Sequence, residues 1–471
     1  MNLYPYIFKL ITNVKRIFFF FLSGLFCLSS YCQKEDRYLE TAKLLSRDIL
    51  TQTGYCSDGS DRARNGEPRF SGAMEAKTIS FKGYIYVTYY EANGDIIIAR
   101  KKQTQEATWE KSVLKGYQVK SQDRHNKIAI AISKGDGVIH LSFDHHNSPV
   151  LNYAHSAIGV ALHPKKVVWD NSIFILQPNL GLKDDVGLVT YPSFTSIEKS
   201  GNLILYWRSG GAIKGEMNLA RYNSTDHSWS IVGMISSREG KYKGVVGKRG
   251  PYPAGVKQDS TGTLHLAWLW REDLTDRDIL DVKGNHGLYY AQSTDEGFTW
   301  HNSEGKLVAS ISSGLKMGVD NIGPPPVEIP MVSNPSNVGI SSAINPYNQD
   351  FYLSVKHYND DFSKHTNFLY KRTVDGKWTA QPTQMEGNCK IVFNDDFMFR
   401  LYESEILYAT RDTDYTDWKK IELPNKLEKG KVNWNTDSID EGMVSLAIQY
   451  DPITKGKATP IEFMVFQLIN K

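Results

Sequence analysis

One short motif, followed by weaker copies of itself, constrains this chain more than any other feature. Residues 289–300 read YYAQSTDEGFTW, which contains Ser-x-Asp-x-Gly-x-Thr-Trp. These residue types build a tight hairpin turn. Ser and Asp side chains accept from backbone amides, Gly supplies a positive φ, and the Trp buries beneath the turn. Looser copies end at Trp378 (LYKRTVDGKW), Trp418 (LYATRDTDYTDW) and Trp229 (LARYNSTDHSW), and the loosest at Trp109 and Trp169. Apolar strand–turn–strand pairs recur along the same stretch, as in AKTISFKGYIYVTYY and YPSFTSIEKSGNLILYW, and seven of them can be read. A unit of roughly sixty residues with this make-up fits a four-stranded blade with long loops. The expected fold is therefore all-β, a seven-bladed β-propeller forming one domain over residues 33–471, with six blades as the alternative. The last strand, IEFMVFQLI, has no motif after it, so it is expected to pair with an N-terminal strand and close the ring. The polar segment 33–69 reads as a lead-in helix or as that clasp.

Composition narrows the function. The 26 Tyr, 20 Phe and 10 Trp suit a turn-rich β protein and sugar binding. A formal net charge of +3 with no dense Lys/Arg cluster argues against nucleic acid as a partner. Lys9, Lys15 and Arg16 precede the apolar run 17–28, which is short for a bilayer span, so 1–32 reads as a signal peptide. The mature chain is expected to be secreted or periplasmic, a monomer without a transmembrane segment. Lipid anchoring at Cys32 is the alternative. Cys56 and Cys389 then remain, and three readings stand: a disulfide, a metal ligand at Cys389, or two lone buried thiols.

In a propeller, equivalent loops of successive blades meet at one face around the central channel. The starts of three consecutive blades carry DRHN (His125), TYPSF (Tyr191) and PYPAG (Tyr252). The ends of second strands carry FDHHN (His145, His146) and YWRSGG (Arg208). A base, an acid and a cation on one face suit β-elimination at a uronic acid. The proton at C5 is removed, a cation neutralises the carboxylate and the developing enediolate, and a second group protonates the departing O4. Arg208 fits the cation role by its fork geometry. His140 lies within a strand and reads as packing. No cofactor is required by this chemistry, and a structural metal ion is left open.

These residues, from DRHNKIAI through FDHHNSPV, TYPSF and YWRSGG to RGPYPAG, resemble the ulvan lyases of polysaccharide lyase families 24 and 25. Those are secreted seven-bladed propellers of the neuraminidase-repeat superfamily. The resemblance implies cleavage between a sulfated rhamnose and a uronic acid in a polyanionic polysaccharide, leaving an unsaturated uronyl end. Carried over by position, it implies that His125, His146 and Tyr191 are catalytic and that Arg208 neutralises the carboxylate, with Tyr252 beside it. His145, Asn147 and Arg249 join Arg208 and Tyr252 as substrate-binding candidates, and the His145–His146 doublet leaves the second histidine uncertain by one place. A rhamnosidase or rhamnosyl-glucuronate lyase is the nearer alternative, and a non-catalytic carbohydrate-binding propeller the more distant one. Sialidase is disfavoured, because only EPRFSG stands where an Arg-Ile-Pro motif is needed.

Overall fold

Four antiparallel strands repeat around a ring, and each second strand is buried along most of its length. Tyr84–Tyr90 is buried at every residue, and Asn202–Ser209 at every residue but the last. Such strands lie between neighbouring sheets, which is why they read as unbroken apolar runs rather than alternating ones. A computed structural model of the chain describes residues 38–60, 70–104, 107–274, 283–331, 339–358, 365–382, 388–424, 427 and 429–470. Residues 41–469 form one compact unit. The proposed signal peptide and the lipidation site lie outside the described residues.

The ring has seven blades. Their innermost strands are Lys77–Phe81, Ala129–Ile132, Val189–Ile197, Lys248–Gln258, Ile340–Ile344, Lys390–Phe393 and Gly430–Asn435. In the seventh blade the order runs from Gly430–Asn435 through Met443–Tyr450 and Thr459–Asn470 to Leu39–Gly54. The segment between 33 and 69 thus supplies a clasp strand rather than a helix. Arg47 ties the closure by donating Nε and Nη2 to the two carboxylate oxygens of Glu462, at 2.9 and 3.1 Å. The described residues contain no α-helix, and no helix long and apolar enough to cross a membrane.

The motif at 293–300 behaves as its residue types dictate. Ser293 Oγ donates to Asp295 at 2.8 Å and accepts from Gly297 N–H at 2.9 Å, and Asp295 accepts both the N–H and the hydroxyl of Thr299. Gly297 sits at φ 97° and Trp300 is fully buried. All six motif tryptophans fall at the junction of a blade's third and fourth strands. The seventh blade takes its fourth strand from the N-terminal side, so it needs no such turn. Hydrophobic clusters fill the spaces between successive blades, and in one of them Leu50, Ile461 and Phe463 of the seventh blade pack on Val87 and Tyr89 of the first.

Several histidines serve this packing. His140, His265 and His357 each lie on a second strand and meet a tyrosine hydroxyl of the third, Tyr153, Tyr290 and Tyr370, at 2.6 Å in all three pairs. Around His140, Trp229 Nε1 donates to Tyr153 Oη, and the same oxygen lies against His140 Nδ1. Cys56 and Cys389 are both buried and unpaired, so the disulfide reading is corrected. They contact Thr459 Oγ1 and Ser354 Oγ instead.

Candidate active site

The innermost strands of all seven blades line one cavity of about 760 Å³. His125, Tyr191, Arg208 and Tyr252 all face it. Their convergence depends on local departures from regular strand geometry.

Tyr191 is held at φ 53°, a left-handed conformation that is costly for a bulky residue. The pairing of its strand with Asn202–Ser209 explains this. Thr190 pairs with Arg208 and Ser193 with Tyr206, so Tyr191 and Pro192 together oppose one residue in a β-bulge. The proline cannot donate to the ladder, and the bulge turns the tyrosine out toward the cavity.

Arg208 comes from the strand on the other side of that bulge. It is 2% exposed, and its guanidinium carbon lies 5.2 Å from the ring centre of Tyr191 and 5.0 Å from that of Tyr252. Among the described residues its Nε and Nη2 have no hydrogen-bond partner. Two aligned donors on one edge of a planar cation are what a carboxylate accepts bidentately. Gly215 makes room for the stem, since a Cβ there would stand 2.7 Å from Arg208 Cδ.

Asp123 joins the two histidines. It is fully buried and accepts from His125 Nδ1 at 2.8 Å and His146 Nδ1 at 2.6 Å. Burial pushes its carboxyl up, but the hydrogen bonds from His125 and His146 outweigh that and hold it far below the usual carboxylate range. A carboxylate that accepts from both Nδ1 atoms fixes the tautomers, so each Nε2 carries the lone pair. The rings of His125 and His146 lie 4.7 Å apart, and that of His146 stacks on Tyr191 at 5.6 Å. The histidine reaches this place by leaving its own blade. His146–Ser148 pairs with the innermost strand of the next blade, with His146 opposite Thr190. Sequence reading placed His146 at the end of a strand of its own blade and missed Asp123, although the Asp-x-His spacing of DRH was its visible signal.

Three candidates are not brought into this cluster. His145 is 1% exposed, and its Nε2 accepts from the N–H of Asn152 in its own loop at 2.8 Å. His146 is thus the histidine joined to His125 through Asp123, while His145 lines the cavity from its own loop. Asn147 turns a left-handed corner at φ 63° and donates its backbone N–H to Thr190 Oγ1. Arg249 is buried in an ion pair with Glu272, and its Nη1 donates to the carbonyls of Arg238, Glu239 and Gly240. It anchors the loop 238–240, and it does not line the cavity.

The nitrogens and oxygens of Asp123, His125 and His146 lie within 4.8 Å of one another, the one group among the described residues with the spacing of metal ligands. A cation held by the Asp123 oxygens and the two Nδ1 atoms would have to displace both of these hydrogen bonds, whereas the bonds as they stand fit a positioned imidazole pair. Cys389 belongs to no such group among the described residues.

The buried histidines outside the cluster predict an acid-sensitive fold. Burial lowers His140 and His145 to about 3. Their folded values lie below the unfolded value of about 6.5, so both stay neutral in the fold while the unfolded chain takes up protons. Their stabilising contribution is present above that value and is lost as pH falls toward 3, by about 1.4 kcal/mol per pH unit for each histidine. His140→Gln should therefore lower the denaturant midpoint at pH 7.5 and flatten its fall between pH 6 and 4. Parallel curves for the two proteins would contradict the assignment.

Comparison with known proteins adds three findings. Residues 84–385 match the family described as BNR repeat-containing family member. A curated ulvan lyase, long isoform, from an Alteromonas species is 29% identical over 215 residues. That stretch is 39% of this chain and 21% of the relative, so the chain matches about a fifth of the relative's length. Among solved structures, the polysaccharide lyase Uly1 superposes with a TM-score of 0.67 at 16% identity, covering 91% of this chain and 100% of that one. A PL25 ulvan lyase bound to -[GlcA(1-4)Rha3S]- gives 0.59 at 10% identity, over 88% of this chain and 97% of that one.

Proposed function

The chain belongs to the BNR repeat-containing family, and from that premise we propose that it is a polysaccharide lyase. Its substrate on this reading is ulvan, a sulfated rhamnose–uronic acid polymer, cleaved by β-elimination. One observation carries the reading: the buried Arg208 fork has two donors without a partner among the described residues, at the cavity wall beside an acid and a base.

The uronate carboxylate docks on Arg208 Nε and Nη2. Neutralising it lowers the barrier to removing the adjacent C5 proton and stabilises the enediolate that forms. His125 Nε2 takes that proton, and the C5 electron pair forms the C4–C5 double bond as the C4–O4 bond breaks. The Tyr191 hydroxyl gives its proton to the departing O4. Asp123 keeps the His125 ring oriented and stabilises the imidazolium after proton transfer. His146, hydrogen-bonded to the same carboxylate, orients substrate or serves the uronate epimer whose C5 proton lies on the opposite face.

The lining supports elimination over hydrolysis. Glycoside hydrolases generally use a pair of carboxylates flanking the bond, and among the described residues no Asp or Glu lines this cavity. The GlcA in the ligand of the similar PL25 ulvan lyase structure also suits the chemistry of an arginine-based site. The test is to incubate the protein with ulvan and follow the ultraviolet absorbance of the unsaturated uronyl product. A rise with new chain ends is expected. New reducing ends without it would mean hydrolysis and overturn the lyase reading.

A further inference from the structure

The half of the cavity that the proposed chemistry does not use is cationic. Blades six, seven and one lie across the ring from blades three and four, which carry Tyr191, Arg208 and Tyr252. From that side and from the start of blade two, Lys77, Lys127 and Lys390 line the cavity, with Asn388 and Asn433 between them. Glu75 pairs with Lys77 and with Lys127, and accepts from Asn433 Nδ2 at 3.2 Å. One carboxylate thus answers two ammonium groups. Lys390 forms no ion pair among the described residues, and its Nζ donates to the carbonyl of Trp434 at 2.9 Å.

Structural pairing accounts for Glu75, Lys77 and Lys127, which tie blades one, two and seven together. It does not account for Lys390. Ammonium groups gathered inside a ring repel one another unless an anion joins them. Crowding by the channel walls lowers the solvent-reached Lys390 ammonium to about 8, with Lys257 and Lys77 adding to the fall and Asp437 and Glu75 opposing it. We propose that Lys390, with Lys77 and Lys127 beside it, forms a subsite for a tetrahedral sulfate ester on the sugar next to the cleaved uronate. This rests on the lyase reading for the identity of the polymer. The anion site itself does not, because the residues that build it are separate from His125, Tyr191 and Arg208.

Lys390 is the residue to change, since removing Lys77 or Lys127 would unbalance Glu75. Two measurements test the proposal. The first uses inorganic sulfate alone. The melting temperature of the intact protein is compared in sodium sulfate and in sodium chloride at equal ionic strength. The excess stabilisation by sulfate should shrink in Lys390→Met and persist in Lys390→Arg. An equal excess in all three proteins would overturn the anion site, whatever the enzyme's substrate. The second measures binding by titration calorimetry in a His125→Ala background, with ulvan and with chemically desulfated ulvan. Lys390→Met should weaken binding of the sulfated polymer about tenfold, the scale of one charge-assisted hydrogen bond, and leave the desulfated polymer unchanged. Equal weakening for both polymers would assign the site to a second carboxylate and overturn the sulfate assignment. Loss of the sulfate effect in the first measurement together with no unsaturated product from ulvan would remove the lyase reading and leave the anion site standing.

Discussion

His125→Ala and Tyr191→Phe should each lower kcat on ulvan by roughly 10²–10⁴, the range expected for losing a positioned general base or acid, while the protein stays folded. His125 is the more exposed imidazole of the pair, with 26% of its side chain accessible against 9% for His146. It therefore meets substrate first. Tyr191→Phe removes only the hydroxyl and keeps the ring that stacks on His146 and flanks Arg208. Any large loss in that variant therefore reports proton transfer, not packing. His146→Ala should reduce turnover on one uronate epimer more than on the other. His145→Ala should act on stability, because its ring is engaged with its own loop. Steady-state kinetics on glucuronate-rich and iduronate-rich fractions, with melting curves alongside, separate these effects. If Tyr191→Phe retains near-native kcat, the acid is another group. If His145→Ala is inactive and still folded, the second histidine has been placed one residue too far along.

The fold was legible because its signal is periodic. The Trp-terminated turns mark the junction of third and fourth strands, and the long apolar runs mark the doubly buried second strands, so the blade count follows from local chemistry alone. The clasp was legible as a missing partner for the last strand. The site was legible only in part, for a geometric reason. His125, Tyr191 and Tyr252 stand at comparable blade starts and Arg208 at the end of the strand paired with that of Tyr191, and a ring brings such positions together. Asp123 and His146 obey no such rule. Asp123 acts through two imidazoles from a loop before the blade's first strand, where it also accepts the backbone N–H of His125, and His146 arrives by pairing with a neighbouring blade across a register shift. Arg249 shows the converse error. Its place in RGPYPAG suggests a ligand, but sequence could not reveal that Glu272 on the paired strand lies opposite it. Nor could sequence reveal the cationic wall, since Glu75 and Lys77 at the start of blade one, Lys127 before blade two and Lys390 in blade six meet only in the channel.

Arg208→Lys should lower kcat about 10²-fold or more, the scale of removing one preorganised donor from a developing oxyanion, and should lower kcat/KM by a similar factor. The substitution preserves the charge, so the loss would come from geometry. The guanidinium is a plane held between the rings of Tyr191 and Tyr252, with Nε and Nη2 on one edge. An ammonium in that slot offers a point charge with no fixed pair of parallel donors. It also leaves the flat space between the rings imperfectly filled. The parallel fall in kcat and kcat/KM matters because it marks an interaction made more strongly in the transition state than in the bound substrate, as expected when carboxylate charge grows into an enediolate. A rise in KM with unchanged kcat would mean that Arg208 only holds the chain, and the cation of the elimination step would have to be sought elsewhere. Gly215→Ala gives an independent check that leaves the guanidinium intact. Its new methyl would press on the Arg208 stem at Cδ and shift the fork from the carboxylate, so it should reproduce the direction of the kcat loss while every ionisable group in the site remains.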